Sequence, residues 1–100
     1  MADDPRFPFN SRVPVHLRPG LVRYIDHGVV PGGFLFALLC NDMAKAAKKA
    51  DALSLAALPY LAGWLETHAP EACWGSLAKV NRWLADHAAQ RRHAAGGARG

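Results

Sequence analysis

The chain of 100 residues is short of cysteine, of acidic residues and of any long hydrophobic run. Its two cysteines, Cys40 and Cys73, are too few for a disulfide framework and form no Cys-x-x-Cys pair. The longest near-apolar run, the twelve residues from Val29 to Cys40, is interrupted by Pro31, Gly32 and Gly33. A membrane-spanning helix needs about 20 residues, so no membrane span is expected. Met1-Ala2-Asp3-Asp4 carries neither the basic nor the apolar region of a secretion signal. The expected setting is therefore cytoplasmic and reducing. Eight acids against twelve Lys and Arg give a net charge of +4 and a pI near 9.5. Three of those positive charges, Arg91, Arg92 and Arg99, lie at the end of the chain, so residues 1–90 carry only 4 − 3 = +1. Basicity concentrated in an end segment is a weaker nucleic-acid footprint than a stripe on a folded face. No internal repeat is present.

Spacing that would support catalysis or metal binding is also scarce. His16 and His27 are eleven residues apart and His87 and His93 six, whereas zinc ligands pair across three to five. A site assembled from Cys40, Cys73 and His68 is weighed against a role for both thiols in the core, and the core role is expected. Gly75-Ser76-Leu77 lacks the second glycine of a nucleophile elbow, and no Lys-Ser or Lys-Thr follows Pro31-Gly32-Gly33 as a phosphate loop requires. The acid–histidine neighbours Asp26/His27 and Glu66/His68 read as polar helix ends, because residues two apart on a helix do not face each other. No catalytic residue, metal or cofactor is expected, and the chain is read as not an enzyme.

What the chain does have is helical periodicity. Residues 1–15, with Pro5, Pro8 and Pro14 around Phe7, Phe9 and Val13, read as an extended arm, since proline removes backbone donors and blocks both helix and central strand. Leu17, Leu21, Tyr24 and Ile25 share one face of a helix over 16–27, with its true start at Arg18 or Pro19 after one turn around Pro14 to Leu17, and its stop at Gly28. Phe34, Leu35, Leu38, Leu39, Met43, Ala46 and Ala50 form a wide stripe that predicts one central helix over 33–50. A third helix is expected over 54–69, with Leu58, Leu61, Leu65 and His68 in register. Ser54 is its candidate N-cap, a start near Asp51 the other option, and Pro59 a kink or the real beginning. Ser76 caps a fourth helix over 76–90 through Leu77, Val80, Leu84 and Ala88, with no capping box because position 79 is Lys. Residues 91–100 read as a flexible basic tail. The expectation is thus a small all-α domain of four helices over 16–90, with an extended arm and a flexible tail.

Candidate contact residues follow from this arrangement. Lys45, Lys48 and Lys49 face away from the apolar stripe, with Asp42 the one acid of that helix to balance them. Three tryptophans are many for the size, and Trp83 beside Arg82 suits a protein interface. Lys45, Lys48, Lys49, Arg82 and Trp83 are therefore the expected partner-binding residues. The Ala-rich core is thin, so a partner or a second copy of the chain could cover one face. Gly32 and Gly33 read as a tight helix–helix turn closed by a staple between Val30 and Phe34.

The frame His-Leu-Arg-x-Gly-Leu-x-Arg-Tyr-Ile-Asp-His-Gly-Val-Val-Pro-Gly-Gly-Phe-Leu, followed by Leu-Leu-Cys-Asn-Asp and His-Ala-Pro-x-Ala-Cys-Trp-Gly-Ser, covers roughly His16 to Asp86. It resembles a family of short phage- and prophage-encoded proteins of unknown function. The resemblance implies a phage-linked setting in the cytoplasm of a bacterial host and transfers no catalytic residue. Small accessory proteins of that kind include inhibitors of host machinery, anti-CRISPR proteins among them. The expected function is accordingly a non-catalytic accessory protein that binds and inhibits or modulates a bacterial protein or ribonucleoprotein complex. The alternative is a small basic nucleic-acid-binding module that contacts phosphates without strong sequence specificity.

Overall fold

In a computed structural model, which describes residues 8, 9 and 11–99 and side chains as far as Arg92, every regular element is helical, as the periodicity requires. Phe7 and the rest of the arm before Pro8, and Gly100, lie outside the described residues. A 3₁₀ turn, Val15–Leu17, leads into α1, Arg18–His27. Then come α2 (Gly33–Leu39), α3 (Met43–Lys49) and α4 (Ala52–His68), a second 3₁₀ turn at Glu71–Cys73, and α5 (Leu77–Arg99). No helix among the described residues is long and apolar enough to cross a membrane.

The first helix forms as its residues dictate. Pro19 stands in its opening turn, where a missing N–H is harmless, and Leu21, Tyr24 and Ile25 are buried along one face. Gly28 ends it at φ 62°, the left-handed region, with its N–H donating to the Tyr24 carbonyl at 2.9 Å. A Cβ at position 28 would overlap the Cβ of His87 on α5. This glycine is therefore required twice, by backbone conformation and by close approach.

The single helix expected over 33–50 is instead two, making five helices where four were expected. The break falls at Asn41, the one described non-glycine residue with positive φ, at 61°. The Asn41 N–H donates to the Leu38 carbonyl and the Asp42 N–H to the Ala37 carbonyl, the paired bonds of a Schellman stop. Asp42 then starts the next helix by accepting from the Lys45 N–H at 3.1 Å. A continuous apolar stripe concealed this, because α2 and α3 fold back on each other and still bury Leu38, Leu39 and Ala46, with Met43 half-buried. The expected staple is absent: Val30 is 63% exposed. Gly32 sits in an extended conformation with open space around it, while Gly33 is approached by the Lys49 side chain of α3.

The fourth helix begins at Asp51, whose carboxylate accepts from the Ser54 N–H at 2.7 Å, rather than at Ser54. Pro59 lies inside it on the exposed side, so the chain passes through without a stop. Its buried face is Ser54, Ala57, Leu61, Trp64 and Leu65, rotated from the expected register: Leu58 is half-buried and His68 exposed. Ser76 caps α5 as expected, accepting from the Lys79 N–H at 3.1 Å. The helix continues past Gln90 to Arg99, so part of the stretch expected as a flexible tail is helical in backbone. Arg91, Arg92, Ala94 and Ala95 favour helix, whereas Gly96 and Gly97 do not.

The core gathers around Tyr24, which is fully buried. Its hydroxyl donates to the Cys73 carbonyl at 2.6 Å, and its own carbonyl accepts both from Gly28 and from the Trp83 indole N–H at 3.0 Å. Arg91, two turns beyond Trp83, donates to the His27 carbonyl at the same end of α1. The Gly75 N–H meets the Leu39 carbonyl at 2.7 Å, fastening the second 3₁₀ turn to the end of α2. Gly28→Ala should therefore lower stability by about 2 kcal/mol or more, since a left-handed L-residue costs roughly 1–2 kcal/mol before the overlap with His87 is counted. Gly32→Ala should stay within about 0.5 kcal/mol of the parent. Urea unfolding of both variants checks the contrast.

Candidate functional site

The N-terminal segment lies along α4 and forms a groove with it. Phe9 stacks on Trp64 with ring centroids 4.9 Å apart, and the Arg12 guanidinium lies 4.6 Å from the Tyr60 ring centroid. His16 Nε2 is 3.3 Å from the Ser54 hydroxyl and 3.5 Å from the Asp51 carboxylate. As the chain advances from 9 to 16, its contacts step back along α4 from 64 to 51, so the strap runs antiparallel to the helix. Arg18 holds the strap in place: its Nε and Nη2 donate to the Val13 carbonyl at 3.0 and 2.9 Å, and its guanidinium lies over the Phe9 ring. Val13 is buried beneath, while Pro14 keeps the backbone extended with no N–H to satisfy.

Between strap and helix opens a groove of about 630 Å³. Pro14 and Val15 form one wall, and Leu53, Ala56, Ala57 and Tyr60 the other. Val15 is 72% exposed, Leu53 68% and Tyr60 46%. These three gather around one hollow instead of standing singly on the surface. The groove offers hydrocarbon and one aromatic ring, with Ser11, Arg12 and His16 at its edge, so it can hold an apolar side chain. Asp51, at one end, is held below the usual aspartate range, first by the Ser54 N–H, then by the Ser54 hydroxyl and, more weakly, by His16.

The sequence-expected contact residues lie elsewhere. Lys45, Lys48 and Lys49 are exposed on α3, and Arg82 is exposed on α5. Trp83 is half-buried, its indole N–H spent on the Tyr24 carbonyl and its ring against His87. Among the described residues no three His, Cys, Asp or Glu side chains gather as a metal site would need. Burial pushes the Cys73 thiol up to about 11 and raises that of Cys40, so neither favours the reactive thiolate. A single buried stripe read along α4 conceals the groove in the sequence. The signal was there: Leu53, Ala56, Tyr60 and Trp64 make a second apolar stripe beside Leu58, Leu61 and Leu65, and a helix apolar on several faces has more than one neighbour.

Two outcomes follow from these side chains. The Trp64 indole N–H is buried without an acceptor, so Trp64→Phe removes an unsatisfied donor and should cost less than about 1.5 kcal/mol, against roughly 3–5 for Trp64→Ala, by chemical denaturation. Because the folded Asp51 carboxyl is depressed, its contribution is present above the unfolded aspartate pKa and is lost as pH falls through the folded value. Asp51→Ala should thus lower Tm at neutral pH, and the gap from the parent should close as pH drops below the usual aspartate range, measured by thermal unfolding across pH. Comparison of the chain with protein-family models, with curated proteins and with solved structures gave no match.

Proposed function

We propose that the chain is a non-catalytic binding protein that engages another protein through the groove between the strap and α4, and modulates that partner stoichiometrically. The observation that carries this reading is the cluster of Val15, Leu53 and Tyr60, exposed together around one apolar hollow, whereas Val29, Val30, Leu55 and Leu77 are exposed without lining it. Leaving that much hydrocarbon in water is unfavourable by roughly 25 cal/mol for each Å², which a partner recovers by covering it. An inhibitor of a bacterial complex, the role implied by the likeness to short phage proteins, is the form this binding takes in the proposal. An anti-CRISPR role is its narrowest version.

Leu53→Asp tests the reading without disturbing the fold, because Leu53 is exposed and an acid in the first turn of a helix is favoured by the helix dipole. The parent should retain a protein from bacterial lysate at a fixed ratio in nuclease-treated, moderate-salt buffer. The variant, equally helical by circular dichroism, should lose it by tenfold or more, about 1.4 kcal/mol. Plasmid-interference assays with CRISPR effectors test the narrowest version. Retention that survives Leu53→Asp but vanishes with nuclease, or with Lys45, Lys48 and Lys49 changed to Ala, would overturn the groove and favour phosphate binding.

A further inference from the structure

A second hollow, of about 310 Å³, opens where the end of α4 meets the start of α5. Glu66 comes from α4, Ala69 from its end, Glu71 from the second 3₁₀ turn, Trp74 and Gly75 from the link, and Lys79 from the first turn of α5. The link is held on both sides of its tryptophan. The Cys73 carbonyl receives the Tyr24 hydroxyl, and the Gly75 N–H is bound to the Leu39 carbonyl, so Trp74 stands between two fixed residues. Of the three indole N–H groups, that of Trp83 is spent on the Tyr24 carbonyl and that of Trp64 is buried. The Trp74 N–H differs from both: it reaches solvent and has no acceptor among the described residues. A site built on so fixed a turn needs little ordering when a ligand arrives.

Charge of both signs surrounds this ring. Glu66 and Glu71 bring two carboxylates to the hollow and Lys79 one ammonium. All three residues are exposed, and none makes an ion pair or a side-chain hydrogen bond among the described residues. The Lys79 side chain lies back across the turn, since a Cβ at Gly75 would stand 3.8 Å from its ammonium nitrogen. Opposite charges that share a hollow without closing on each other fit a ligand that carries both signs. They disfavour a ligand of one sign, because a bare cation meets Lys79 and a bare anion meets the two glutamates. The volume lies at the bottom of the range of small-molecule sites, roughly 300–1,000 Å³, so it takes a molecule of amino-acid size. Trp74, with Ala69 beside it, offers such a molecule an aromatic face.

We infer that this hollow binds a free α-amino acid as its zwitterion. The α-carboxylate meets Lys79 and the Trp74 N–H, the α-ammonium meets Glu66 and Glu71, and an aromatic side chain lies against the Trp74 ring. The probe is phenylalanine, titrated into the isotope-labelled chain with the Trp74 indole N–H as reporter. Three analogues accompany it: phenethylamine keeps only the ammonium, phenylpropionate only the carboxylate, and N-acetylphenylalaninamide neither. Phenylalanine should shift the Trp74 resonance and bind about tenfold more tightly than each analogue, with the gap narrowing as salt rises. Lys79→Gln should weaken phenylalanine about tenfold and leave phenethylamine bound at least as well. Glu66→Gln combined with Glu71→Gln should weaken phenylalanine likewise and spare phenylpropionate. Because these side chains are exposed, each variant should be as helical as the parent by circular dichroism. Equal binding by phenethylamine would make this a site for cations and overturn the inference. Equal binding by the neutral amide would reduce it to apolar contact, with the same result. Shifts centred on Val15, Leu53 and Tyr60, or no shift of Trp74 by any probe at millimolar concentration, would remove the site. Leu53→Asp should leave phenylalanine binding unchanged, so this site and the strap groove stand or fall separately.

Discussion

Tyr24 is the point on which the fold converges. Its phenol ends on the Cys73 carbonyl of the second 3₁₀ turn, and its own carbonyl holds Gly28 and Trp83. Burial, with Cys73 and Cys40 nearby, pushes the phenol well above its ordinary range, so it stays a neutral donor at any physiological pH. A buried hydroxyl that lost its acceptor would carry a desolvation penalty of about 1–3 kcal/mol, so α1 and the Glu71–Cys73 turn cannot part cheaply. The close fit of Gly28 under His87 follows from the same geometry, because α5 must approach α1 for Trp83 to reach that carbonyl.

The fourth helix shows what a small domain does with more apolar surface than its core can take. Ser54, Ala57, Leu61 and Leu65 face inward, Trp64 is covered by Phe9, and Tyr60 is only half roofed by Arg12. The strap supplies a second, thinner layer on that side, and it stops short of sealing Leu53. Much of the hydrophobic content is alanine, which fills little volume, so the core closes without drawing in every leucine.

How much of this was legible depends on the kind of signal. Periodicity placed α1 with its start and stop, put Leu38 and Leu39 at the centre of the core, and found the Ser76 cap, because each is written in local residue types. The turn at Asn41 was hidden, since asparagine adopts the left-handed conformation without announcing it and the apolar spacing runs on across the break. The rotated face of α4 and the retention of Trp83 by α1 depend on tertiary neighbours that periodicity cannot see. The candidate site suffered most: Lys45, Lys48 and Lys49 stand out in the sequence by charge. The groove exists only once Phe9 and residues 11–16 are laid along 51–64, and nothing local encodes that pairing.

The connections made by Tyr24 and His27 join residues 49, 59 and 64 positions apart in sequence. On a ribosome the chain emerges from its N-terminus, so α1 leaves the exit with its central tyrosine and its terminal carbonyls lacking the partners they will have when finished. Four helices can form in the meantime, each by local bonds; the closure onto Cys73 comes with the second 3₁₀ turn, while those from Trp83 and Arg91 wait for α5. Such long-range contacts slow folding, and they also make it conditional: a chain halted before Trp83 lacks both of the bonds that α5 makes to the end of α1. The order of synthesis thus works against the order of assembly, with the earliest helix completed last.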